Sequence, residues 1–305
     1  MVKPRALRPG DRIAVVSPSS PFAREEFDAG VEELRRLGYD PVWDESVFAR
    51  EPMVSGSPAT RAGAFLKAWF DPEVAALIAV RGGYGSVHLL PLLAAADLRR
   101  SPKAFIGYSD TTSLLAWLTT GCGMTGFHGP MLERRLSRGE SGYDRGSFLS
   151  ALTAVAGELS PDGLEALIDG EAEGVLLGGT LTQITASLGT PFAFNPPARC
   201  VLFLEDVNER PYKLDRMLTQ LRLAGVLDRA AAVVFGEMRG CDEPSGPPSA
   251  REVIRGALSG FGGPVLFGFP SGHTSGPCWT LPLGVRARVI TSPRPRLVIE
   301  EAAVV

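Results

Sequence analysis

Histidine is scarce in this 305-residue sequence: His88, His128 and His273 are the only three. That scarcity excludes a histidine-rich metal site and confines any imidazole base to one of three positions. Cysteine is nearly as sparse. Cys122, Cys200, Cys241 and Cys278 form no C-x-x-C pair, which removes a zinc knuckle or a dithiol redox motif and leaves reduced, mostly buried thiols as the expectation. No apolar run reaches the roughly 18 residues of a spanning helix, so no membrane partner is expected. The stretch from Met1 to Asp11 lacks the apolar centre of a signal peptide, making the cytoplasm the expected compartment. Neither sign of charge dominates: a formal charge of -3 gives no reason to expect nucleic acid or an anionic membrane surface. What remains is 45% apolar and 21% charged, the balance of a soluble globular chain long enough for two domains or one large one.

The first half alternates strand and helix patterns. Apolar runs at Ile13–Val16, Pro41–Trp43, Val74–Val80 and Ala104–Tyr108 are separated by helical rhythms at Arg24–Leu37, Thr60–Phe70 and Ser86–Leu93. Such alternation predicts a parallel sheet covered on both faces, with ligands bound beyond the carboxyl ends of its strands. Three loops fall at that edge: Ser17–Ser20, Arg81–Gly85 and Gly107–Asp110. The polar stretch 136–173 reads as a connector, with a helix at Phe148–Ala156 and with Arg134, Arg135 and Arg138 solvated beside it. The reading therefore divides the chain into a domain over 1–135, the connector, and a second domain over 174–305. Strands are expected there at Cys200–Leu204, Ala231–Phe235, Val265–Phe267, Arg286–Ile290 and Arg296–Ile299, and a helix at Lys213–Ala224.

Four segments carry candidate chemistry. Ser109 sits between a buried strand and an amphipathic helix opened by Asp110 and Thr111, where a sharp turn exposes a side-chain oxygen to backbone N–H groups; the plain alternative is a serine capping a helix. Arg81-Gly-Gly-Tyr-Gly85 lacks the third glycine of a dinucleotide loop, since His88 stands there, and lacks G-K-[ST]. Its glycines suit close approach of backbone to a substrate, or only a tight turn. Glu205 and Asp206 follow a buried strand, placed either to orient a histidine, or to cap a helix or pair with Arg210 or Lys213. His273 lies in a Gly/Pro-rich loop, Gly268–Pro277, which ranks it ahead of His88, in an apolar helical context, and of His128. Ser109, Glu205 and His273 together make a serine, acid and histidine set that spans both halves.

Seven motifs in order resemble the LD-carboxypeptidase family, the muramoyltetrapeptide carboxypeptidases, with the microcin C immunity peptidases as a sister branch. They are Gly10–Pro21, Arg81–Gly85, Phe105–Thr112, Phe127–Met131, Gly178–Thr182, Leu204–Tyr212, and Gly268–His273 with Leu281–Gly284. The resemblance implies an α/β chain: a flavodoxin-like N-terminal parallel-sheet domain, a smaller β-rich C-terminal domain, the active site between them, and usually a homodimer. It implies Ser109 as nucleophile, His273 as base and Glu205 as acid, no metal or organic cofactor, and a cytoplasmic murein tetrapeptide cut to release D-alanine. On this reading the oxyanion is met by the N–H of Asp110 and one from Gly82 or Gly83, and Arg81 is a candidate for the terminal carboxylate. An immunity-type peptidase acting on an aminoacyl-nucleotide is expected to carry an aromatic loop near the connector. Met131–Gly174 holds Tyr143 and Phe148 but no tryptophan, which leans toward the murein substrate. A two-domain binding protein without chemistry is the alternative outside the enzymes.

Overall fold

The computed structural model describes residues 1–305. Fourteen strands form two sheets: β1 Arg12–Val16, β2 Asp40–Val42, β3 Val74–Ala79, β4 Ala104–Gly107, β5 Gly126–His128, β6 Gly157–Leu159, β7 Glu165–Ile168, β8 Glu171–Thr180, β9 Cys200–Glu205, β10 Ala230–Gly236, β11 Val265–Phe269, β12 Leu281–Leu283, β13 Val285–Ile290 and β14 Arg296–Ile299. The first sheet runs β12-β5-β4-β3-β1-β2, parallel except for β12. Its parallel part is the flavodoxin order, and β1 and β3 flank the switch point where loops from adjacent strands diverge and leave a crevice. The loops leaving those two strands are Ser17–Ser20 and Arg81–Gly85, and Ser109 follows β4 next door.

The second sheet is the wider, β6-β14-β13-β8-β9-β10-β11-β7. Its centre, β8 to β11, is parallel, and its flanks are antiparallel. The segment expected only as a connector supplies the edge strands β6 and β7, while β12 leaves the C-terminal half to pair antiparallel with β5 in the first sheet.

Strand alternation decides what each face of the second sheet meets. Val201 and Phe203 of β9, with Ala232 and Val234 of β10, join the core continuous with the first sheet. The intervening Cys200, Leu202, Leu204, Val233 and Phe235 face a separate core, closed by helices Pro211–Leu223 and Ala250–Ala257. All four cysteines are buried and unpaired, as expected. No helix is long and apolar enough to cross a membrane.

Three helices depart from the sequence reading. The helix after Ser109 is α-helical only over Thr112–Ala116 and widens into a π turn at Trp117–Gly121. There the hydroxyls of Thr119 and Thr120 bond back to the Leu115 and Ala116 carbonyls, competing with the regular ladder. Ser86–Leu92 is a 3₁₀ segment containing Pro91, which has no N–H to extend a helix. In the connector the helix is Arg145–Leu152, opened by Asp144 accepting from the Ser147 N–H.

Candidate active site

Ser109 adopts a φ of 63°, the left-handed region that costs a non-glycine residue about 1–3 kcal/mol. The conformation is held from behind by Asp110. Asp110 does not cap its own helix, as the sequence suggests. Its carboxylate accepts from Ser19 Oγ at 2.6 Å, Ser86 N at 2.8 Å and Gly85 N at 3.1 Å, and its carbonyl accepts from Ser86 Oγ at 2.6 Å. One side chain therefore ties all three crevice loops together. Thr111 Oγ1 donates to the Tyr108 carbonyl at 2.9 Å and closes the turn.

The glycine loop packs directly on the serine. A Cβ at Gly82 would stand 2.8 Å from Ser109 Cβ and 3.0 Å from its Oγ. Neither the Gly82 nor the Gly83 N–H has an acceptor in the protein, and Gly82 is buried, so these donors remain available to an oxyanion. Gly82→Ala is expected to lower kcat about 100-fold, because displacements well under 1 Å matter at a reacting centre. Steady-state kinetics beside thermal unfolding checks this: the loss of kcat should exceed what the accompanying fall in Tm explains, since the added Cβ must displace Ser109 while the Gly82 backbone lies outside the positive-φ set.

Glu205 ends β9 on the same face as Val201 and Phe203, so alternation turns it toward the first sheet, while Asp206 turns the other way. Asp206 accepts from Thr182 N and Oγ1, both at 2.8 Å, at the start of helix Leu181–Ser187. Burial, followed by repulsion from Glu205, pushes the Asp206 carboxyl up to about 6. Glu205 is 1% exposed. Its Oε2 accepts from His273 Nδ1 at 2.8 Å and from the His273 N–H at 2.9 Å, and its Oε1 accepts from Thr180 Oγ1. Burial opposes ionisation here, but the charge and hydrogen bond of His273 outweigh it, and the carboxyl falls to about 2. An ionised carboxylate only accepts, so Nδ1 carries the proton and Nε2 of the neutral ring is left basic. Burial lowers the His273 pKa, yet Glu205 more than compensates and raises it above the ordinary value. Gly272, at φ 85°, permits the approach: a Cβ there would lie 2.6 Å from Glu205 Cδ.

Three residues that sequence reasoning did not single out for these parts frame the pair. His128, fully buried, shares a 2.8 Å hydrogen bond between Nδ1 and Ser271 Oγ, and its Nε2 lies 3.9 Å from Glu205 Oε1. Burial holds His128 down to about 4, so it faces Glu205 as a neutral ring. Arg135, expected in solvent, is 9% exposed. It donates to the carbonyls of Gly272 (2.7 Å), Thr274 (3.3 Å), Gly276 (3.2 Å) and Gly142 (3.4 Å), and to Tyr108 Oη at 3.3 Å. Thus the His273 loop is fastened to the residue preceding Ser109. The Tyr108 ring meets the His273 ring edge-on at 5.1 Å.

The structure joins Glu205 to His273 and packs the ring of Tyr108, the residue before Ser109, against the imidazole; Ser109 Oγ itself makes no hydrogen bond. Arg81 is not a free cation: Nη1 donates to the Pro21 carbonyl at 2.7 Å and Nε pairs with Glu133 at 3.2 Å. His88 is occupied by Arg61 and Tyr84. An oriented imidazole, a half-buried hydroxyl without a hydrogen-bond partner in a strained turn and unpaired N–H groups are the parts needed for acyl transfer.

Residues 13–129 match the LD-carboxypeptidase N-terminal domain, and residues 173–289 the LD-carboxypeptidase C-terminal domain. A Bacillus subtilis protein named a probable murein peptide carboxypeptidase is 32% identical, over 95% of this chain and 92% of its own length. Among solved structures, MccF in complex with glutamyl sulfamoyl guanosine superposes with a TM-score of 0.89 at 26% identity, covering 98% of this chain and 99% of that one. A muramoyltetrapeptide carboxypeptidase from Oxalobacter formigenes gives 0.82 at 28% identity, covering 94% and 97%.

Proposed function

Because the chain belongs to the LD-carboxypeptidase family, we propose that it is a serine peptidase releasing a terminal D-alanine from murein tetrapeptide by cleaving an L,D amide. The observation that carries the reading is the buried Glu205–His273 pair, fastened through Arg135 and Tyr108 to the strained turn bearing Ser109. In the proposed cycle, His273 Nε2 takes the Ser109 proton as Oγ attacks the scissile carbonyl, and Glu205 stabilises the imidazolium. The N–H groups of Gly82 or Gly83 and of Asp110 meet the oxyanion. His273 returns its proton to the departing amine, D-alanine leaves, and water resolves the acyl-enzyme.

The sister reading, hydrolysis of an aminoacyl-nucleotide as suggested by likeness to MccF, requires a surface for a nucleobase. Both connector aromatics are committed to the core: Tyr143 and Phe148 are each 0% exposed, stacked edge-on at 5.8 Å, with Tyr143 Oη donating to Glu33 at 2.5 Å. This supports the murein peptide. The buried free thiols suit a reducing compartment, consistent with work on turnover peptides in the cytoplasm. Side-by-side assay of murein tetrapeptide and an aspartyl sulfamoyl nucleotide is the test. D-alanine release at the higher kcat/KM is expected, and preferential cleavage of the nucleotide would replace this substrate assignment with the sister one.

A further inference from the structure

With Arg81 committed inside the protein, other arginines border His273. A cavity of about 190 Å³ opens there, lined by Tyr108, His273 and four arginines: Arg134, Arg135, Arg138 and Arg239. No aspartate or glutamate lines it. Arg135 spends its donors on loop carbonyls. The guanidinium groups of Arg134, Arg138 and Arg239 are exposed and make no hydrogen bond or ion pair, in contrast to the many surface arginines here that do, such as Arg36 with Glu33 and Arg288 with Glu300. The acids around the cavity take other donors: Glu26, which feels the charges of Arg138 and Arg134, accepts from Arg134 N and Ser137 Oγ, Glu237 from Ser275 N, and Glu205 from His273.

Two chain segments far apart in sequence therefore bring three uncommitted, always-charged forks to one cavity wall beside the oriented imidazole. Guanidinium forks match carboxylates in geometry as well as charge. We propose that this cavity is an anion subsite, built by Arg134, Arg138 and Arg239, for substrate carboxylates off the reacting amide. The proposal rests on the peptidase reading and deepens it. It makes charge, rather than an apolar side-chain pocket, the basis of selection, because Tyr108 is the one apolar side chain in the lining.

The test compares murein tetrapeptide as the free acid with the same peptide amidated at its internal carboxylates, using wild type and the Arg138→Gln, Arg239→Gln and Arg134→Gln variants. The amidated peptide and each variant are expected to raise KM about tenfold while kcat moves much less, the pattern of lost ground-state binding. The salt dependence of kcat/KM should flatten in an Arg138→Gln/Arg239→Gln double variant. Glutarate should inhibit competitively, more strongly than inorganic phosphate or AMP. Unchanged KM across the variants, equal turnover of the two peptides, or stronger inhibition by phosphate or AMP would overturn the proposal. Labelling of Ser109 by a serine-directed phosphonate separates the failures. If labelling and peptide hydrolysis persist while the arginine variants have no effect, only the subsite falls; if wild type shows neither, the peptidase reading falls with it.

Discussion

Replacing Ser109 by alanine is expected to reduce kcat/KM on murein tetrapeptide at least about 10⁴-fold, roughly 5.5 kcal/mol of transition-state stabilisation. The attacking atom is then gone, and only binding and the oxyanion donors remain. Far-UV circular dichroism and thermal unfolding should show an intact fold, because the turn is fixed by Asp110 and Thr111 rather than by the serine hydroxyl. Ser109→Gly refines the argument. At φ 63° glycine has no steric penalty, so this variant should be as inactive as the alanine one and yet unfold a few degrees higher. Retained activity in either variant would remove the nucleophile from the mechanism. An unraised Tm in the glycine variant would show that the strain relieved does not exceed the extra unfolded-chain entropy that glycine brings.

Glu205→Gln is expected to cost about 10³- to 10⁴-fold in kcat/KM, by comparison with loss of the orienting acid in triads generally. The side chain keeps its shape, so Thr180 and the His273 N–H still find partners. What disappears is the charge that raises the His273 pKa. The base must be neutral to accept a proton, so in wild type activity rises with pH through an apparent pKa above the ordinary imidazole value of about 6.5. Removing the negative charge destabilises the imidazolium and moves this limb downward. A full pH profile of kcat/KM for both proteins checks the sign. An acid limb that stays in place would mean that His273 does not titrate as the base.

The parts of the molecule that were legible in sequence share a physical character. The central parallel strands β3 and β4 are uninterrupted apolar runs because both their faces are covered, and each is buried at every position. Ser109 and His273 were visible because both lie in turn-rich loops at strand ends. The choice of Glu205 over Asp206 was also within reach: alternation along Val201, Phe203 and Glu205 turns the glutamate toward the first sheet. Edge strands were not legible. Gly157–Leu159 is largely exposed and carries no pattern that separates it from a loop. Arg135 reads as one of several solvated arginines because its carbonyl acceptors at Gly272, Thr274 and Gly276 lie more than 130 positions away. Asp110 likewise resembles a local cap because its true partners come from loops at Ser19 and Ser86.

The crossing of β12 into the first sheet has a consequence for how the two lobes can move. Leu283 closes a strand of one sheet and Val285 opens a strand of the other, with only Gly284 between them. The lobes are stitched at that point as well as along the connector, and the N-terminal backbone also meets the chain's last residue, the Ala6 N–H donating to the Val305 carbonyl. Wide clamshell opening would have to tear β12 from β5. Access for substrate must therefore come from rearrangement of individual loops, and a fragment ending near residue 135 would leave β5 as a raw, unpaired sheet margin prone to self-association.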